Sequence, residues 1–146
     1  MAKFVFKLES FLKIKEKLED SAKTEYGKAI SKLEEEKELL TQLKKEKLDT
    51  IFRFKESLKY NINPFNIKNI NEFIKIIDIK ILNQEKTVQE AFEFSEEKRE
   101  NLINAMKERK IFETLKEKEK EAYIKEILQK EQKIIDEIVS YKYNNA

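Results

Sequence analysis

Tyr60-Asn61-Ile62-Asn63-Pro64-Phe65-Asn66-Ile67-Lys68-Asn69-Ile70-Asn71 is the stretch that decides the fold. It carries the one proline of a 146-residue chain, set among five asparagines, while the sequence on both sides reads as long charged helix. Proline lacks the N–H that an interior helical bond needs and disfavours helix at the residue before it, and asparagine side chains compete for the backbone. The chain is therefore expected to turn here. A helix on each side of one turn is the helical counterpart of a two-strand hairpin. The expectation is an all-α protein of two long helices in an antiparallel coiled-coil hairpin. It forms one elongated domain over residues 1–146, with helix 1 over about 4–60, a turn over about 61–69 and helix 2 over about 70–142.

Composition agrees with elongated helices and removes most chemistry. Charged residues are 41% of the chain, and one glycine and no tryptophan are present. Lysine and arginine total 31 against 29 acidic residues, with the signs interleaved. A net charge of +2 spread in this way does not make the concentrated cationic surface that nucleic acid requires. It gains little from anionic lipid either. Cysteine and histidine are both absent, which takes away the disulfide framework, the usual metal ligands, the commonest general base and the strongest nucleophile. The lone Gly27 cannot build a phosphate-cradling loop, and carboxylates on a thin rod have no pocket to shift their pKa values. The expectation is a protein that is not an enzyme and uses no cofactor. No apolar run approaches the length of a membrane span, and no hydrophobic leader follows the first methionine. A cytosolic protein without direct membrane insertion is expected.

From Val5 a seam runs at alternating steps of three and four through Leu8, Leu12, Lys15, Glu19, Ala22, Tyr26, Ala29, Leu33, Glu36, Leu40, Leu43 and Lys47. After an extra step of four, a stutter, it continues through Ile51, Phe54 and Leu58. Lys15, Glu19, Glu36 and Lys47 sit on this seam; held inside it they would cost stability while fixing register, and the expectation is that they lift their charges into water at its edge. Gly27 marks either a soft or a closely packed spot, at a cost of about 1 kcal/mol relative to alanine.

Asn69 with Glu72 three residues on reads as the capping box of the second helix. Its seam runs Ile74, Ile77, Ile81, Gln84, Val88, Ala91, Ser95, Lys98, Leu102, Ala105, Arg109 and Phe112, thins to Leu115, then resumes out of phase at Ile124. Folding about residue 65 sets Leu12 near Lys118 and leaves the second helix longer than the first by about ten to fifteen residues.

Three groups exceed what one partner helix can bury. On the overhanging tail, Ile127, Ile134, Ile138 and Tyr141 share one stripe, flanked by Leu128, Ile135 and Val139. At the start, Phe4, Phe6, Leu8, Phe11, Leu12 and Ile14 cover a wide arc. After the turn, Ile76 and Ile79 fall on the far side of a helix whose inward face is Ile74, Ile77 and Ile81, with Phe73 between. Unpartnered apolar stripes read as interaction surfaces. For the third group the alternative is that Ile62, Phe65 and Ile67 of the connection fold back over it.

The opening Phe4-Val5-Phe6-Lys7-Leu8-Glu9-Ser10-Phe11-Leu12-Lys13-Ile14-Lys15 resembles the start of the flagellar export protein FliJ family, an F-x-F-x-L-E-x-[hydrophobic]-L-x-[hydrophobic]-[K/R] run. Arg109-Lys110-Ile111-Phe112-Glu113-Thr114-Leu115-Lys116-Glu117-Lys118 is similar to a later family segment. The Asn- and Ile-rich centre departs from the family pattern. The resemblance implies a component of the bacterial flagellar type III export apparatus, built like the gamma stalk of rotary ATPases. It would be cytoplasmic and peripherally associated with that apparatus at the inner face of the cell membrane. Its partners would be the hexameric export ATPase, the cytoplasmic domain of the export gate and substrate chaperones.

On that reading, Phe4, Phe6, Leu8, Phe11, Leu12, Ile127, Ile134, Ile138 and Tyr141 would contact the ATPase, and Phe73, Ile76 and Ile79 the gate. An injectisome counterpart of the same component, a coiled-coil spacer and a homodimeric helical bundle are the alternatives.

Overall fold

A computed structural model describes residues 3–60 and 63–145. Two helices account for nearly all of them: α1, Glu9–Leu58, of 50 residues, and α2, Pro64–Asn144, of 81 residues. They pair antiparallel, giving the expected all-α hairpin. By contacts the chain divides into two compact units, Met1–Ser21 with Ile103–Ala146, and Ala22–Leu102.

Both helices follow the seam that their sequences lay down. In α1, Leu12, Ala29 and Leu33 are buried, and Ala22, Tyr26, Leu40, Leu43, Ile51, Phe54 and Leu58 are half-buried. In α2, Ile77 and Ser95 are buried, and Ile74, Ile81, Val88, Ala91, Leu102, Ala105 and Phe112 are half-buried. Exposed faces are held helical by pairs four residues apart, such as Lys130 with Glu126 at 3.3 Å and Gln132 with Asp136 at 3.1 Å. Each such pair adds a few tenths of a kcal/mol.

The turn differs from expectation in where α2 begins. Asn69 lies inside the helix, and Asn63 is the cap. Its side-chain oxygen accepts a bond from the Phe65 N–H at 3.0 Å, and its carbonyl accepts one from the Ile67 N–H at 3.2 Å. Pro64 occupies the first helical position, where its missing N–H costs nothing and its fixed φ already suits the helix. The proline that ends one helix thus starts the next almost at once. Because α2 starts early, cross-helix partners fall one to two turns nearer its beginning than a fold about residue 65 expects. Lys15 reaches Glu108, and Glu9 reaches Lys116, each at 2.8 Å.

The first residues also depart from a helix. Phe4 is half-buried, Val5 is 76% exposed, Phe6 is 4% exposed, Lys7 is exposed and Leu8 is half-buried. This alternation has the two-residue period of an extended segment. The segment closes with a bond from the Glu9 N–H to the Phe6 carbonyl at 3.2 Å. Val5 is therefore not on the seam, and Phe6 takes the inward place.

The charged seam residues correct a second expectation. Glu19 and Glu36 are buried, with 6% and 7% exposure, and do not lift into water. A buried carboxylate is tolerated only with partners that replace its hydration, and both have them across the interface. Glu19 faces the Arg109 guanidinium, whose Nε–H is not aligned as a hydrogen-bond donor, so charge holds that contact. Gln84 donates from its amide to Glu36 Oε2 at 2.5 Å and to the Glu36 carbonyl at 2.9 Å. That side-chain bond, and then Lys32 at 2.9 Å, hold the Glu36 carboxyl below its ordinary range, against the effect of burial. Lys15 and Lys47 are more exposed and pair at the seam edge, with Glu108 and with Asp78 at 2.6 Å.

Gly27 is exposed in mid-helix, and a Cβ added there would meet nothing within 4 Å. It is the soft alternative, not a close approach. Gly27→Ala is expected to raise the unfolding free energy by about 0.5–1 kcal/mol, measured by urea denaturation, because only backbone freedom changes.

Candidate functional site

In the unit formed by Met1–Ser21 and Ile103–Ala146, the extended start of the chain packs on α2. The Phe4 ring meets Tyr123 at 5.6 Å between centroids, and Phe11 stacks on Phe112 at 6.3 Å. Phe6 and Leu12 are each 4% exposed. The expectation that this whole group stays free is therefore corrected. Phe6 and Leu12 are spent within the chain, Phe4 and Leu8 are half-spent, and Phe11 and Ile14 keep more than half of their surface open. The signal for this lay in the Phe-x-Phe-x-Leu alternation, which a helical reading overrides.

Past Tyr123 the situation reverses. Every residue from Ile124 to Asn145 is exposed. Ile127, Ile134, Ile138 and Tyr141 are 36%, 55%, 51% and 70% exposed, and Leu128, Ile135 and Val139 lie beside them, all above half. At 100° per residue these seven cover an arc of roughly 160°. A single a/d seam is narrower than this. The tail thus offers two adjacent apolar rows, enough to lie in a groove between two neighbours. Of the charged residues of the tail only Glu131 and Lys142 fall within the arc, and the others lie outside it.

In the unit Ala22–Leu102, Ile76 and Ile79 are 55% and 60% exposed and Phe73 is half-buried. Phe65 and Ile67 belong to α2 itself, with Phe65 67% exposed, so they do not fold back over this pair. Ile62 lies outside the described residues. Ile76 and Ile79 form a small outward ridge with Leu82, 54% exposed, at its edge.

Among the described residues no helix is long and apolar enough to cross a membrane. The surfaces described above are exposed helix faces, suited to protein–protein contact.

The family model for the flagellar FliJ protein matches residues 4–146. That span includes the extended Phe4–Leu8 start and the whole exposed tail. A solved structure of a "putative YscO homolog" from Chlamydia trachomatis is 24% identical over 97% of this chain and 96% of its own, with a TM-score of 0.48. No curated protein matches the chain.

Proposed function

The chain belongs to the flagellar FliJ protein family and is a type III export component, and from that premise we propose that it couples the hexameric export ATPase to the rest of the apparatus. The contact with the ATPase is made by the tail of α2. The observation that carries this is the open double row of Ile127, Leu128, Ile134, Ile135, Ile138 and Val139, which nothing in the described chain covers. The extended start and the beginning of α1 support that contact mostly from behind: Phe6 and Leu12 lock the base of the tail, and Val5, Phe11 and Ile14 add free surface. The ridge of Ile76 and Ile79, with Phe73 at its foot, is the contact for the cytoplasmic domain of the export gate. Escort of substrate chaperones belongs to the same proposal, and so does peripheral residence at the inner face of the membrane.

One experiment separates the two surfaces. Ile134→Asp with Ile138→Asp places two charges on an exposed row, so helicity by circular dichroism should stay unchanged. Binding to the export ATPase should weaken by at least roughly tenfold, as for loss of buried anchors at an interface. Ile76→Asp with Ile79→Asp should keep ATPase binding and lose gate binding. Undiminished ATPase binding by the tail variant refutes the assignment.

A further inference from the structure

Two exposed stripes, one on each helix, carry opposite charge at the same spacing. On α2, Lys107, Lys110, Ile111, Thr114, Leu115 and Lys118 line a shallow groove of about 480 Å³. On α1, Glu35, Glu38, Leu39 and Gln42 line one of about 310 Å³, and Glu46 continues the stripe one turn further. Counting from the first charge of each, the charges stand at the start, three residues on and eleven residues on. An apolar side chain stands four residues on in both, Ile111 and Leu39, which are 58% and 47% exposed. A short polar side chain stands seven residues on in both, Thr114 and Gln42.

The charges on both stripes are left over from folding. On α2 the neighbouring acids are drawn away, Glu108 by Lys15 and Glu113 by Arg109, and Lys116 goes to Glu9. On α1, Glu34 pairs with Lys37, and Glu36 turns inward to Gln84 and Lys32. None of Lys107, Lys110, Lys118, Glu35, Glu38 and Glu46 takes part in an ion pair among the described residues. Eleven residues separate the outer charges on each stripe, about 16 Å along a helix, and with the two stripes parallel the inner charges, Ile111 and Leu39, and Thr114 and Gln42 also stand opposite one another.

We propose that these stripes are the two halves of a contact between copies of this chain, the lysine stripe of one copy receiving the glutamate stripe of the next. The contact is heterologous, with Ile111 and Leu115 packing beside Leu39 and the charges closing its edges. It does not depend on the tail surface and stands or falls apart from the ATPase reading.

The test uses the full chain, with Ile134→Asp and Ile138→Asp present throughout so that the tail cannot associate. Sedimentation at high micromolar concentration and low salt should give a weight-average mass above the 17.6 kDa of one chain. The excess should fall as salt screens the exposed charges. Lys107→Glu/Lys110→Glu/Lys118→Glu and Glu35→Lys/Glu38→Lys/Glu46→Lys should each sediment as single chains. An equimolar mixture of the two should associate again, since each then offers what the other lost.

Because the chain has no cysteine, Thr114→Cys mixed with Gln42→Cys should cross-link under mild oxidation in preference to either alone. A parent chain that stays monomeric, or a mixture that fails to associate, overturns the proposal. Self-association that survives both charge reversals does so too.

Discussion

Ile77→Ala should lower the unfolding free energy by about 2–4 kcal/mol, read from the urea midpoint of the far-ultraviolet circular dichroism. The size of the effect follows from how thin the core is. Among the described residues, the buried apolar side chains are Phe6, Leu12, Ala29, Leu33 and Ile77, and Ile77 at 2% exposure is the largest of those fully enclosed. Its γ and δ carbons are removed from a site between two helices that are each stiffened by their own backbone bonds, so little collapse can refill the space. Ile76→Ala, one residue away at 55% exposure, is the control and should change stability by less than about 0.5 kcal/mol. Equal losses at the two positions would mean that the inward face of α2 has been assigned to the wrong side.

The second large effect is electrostatic. Arg109→Met should cost about 2–3 kcal/mol, because it leaves the Glu19 carboxylate, 6% exposed, without its cation across the interface. Arg109 itself keeps about a quarter of its side-chain surface in water, which places the estimate below that for a wholly buried pair. Glu19→Leu combined with Arg109→Met should recover most of the loss, since two apolar side chains of similar volume need no hydration replaced. The double-mutant cycle yields the coupling directly. A coupling near zero would show that groups other than Arg109 satisfy Glu19.

The interface was legible in the sequence because its periodicity is written in residues of one kind. Leu12, Leu33, Ile77 and their companions recur at steps of three and four, and burial follows them with few exceptions. The exceptions have physical causes that periodicity does not carry. Phe4 and Phe6 obey a period of two inside a segment rich enough in apolar residues to satisfy either reading. Proline at position 64 reads as a breaker in the sequence, although its first-turn role follows from the asparagine before it.

Glu19 and Glu36 were read as edge residues because one helix does not reveal what stands opposite. Arg109 and Gln84, lying on the other seam, were the available sign. Of the candidate surfaces, the tail and the Ile76 ridge are outward where expected. The aromatic start is mostly folded in, since a segment that can leave the helical path can also bury its own rings.

The paired polar groups along the seam have a mechanical consequence. Lys15 with Glu108 and Glu19 with Arg109 lie in one unit, Glu36 with Gln84 and Lys47 with Asp78 in the other, so each unit is pinned twice. Sliding one helix past the other by a heptad, about 10 Å, would break all these pairings at once and set the Glu36 carboxylate against Ala91 or Ile77. Within each unit, tension or torque applied to one helix is then handed across to its neighbour instead of being lost as creep.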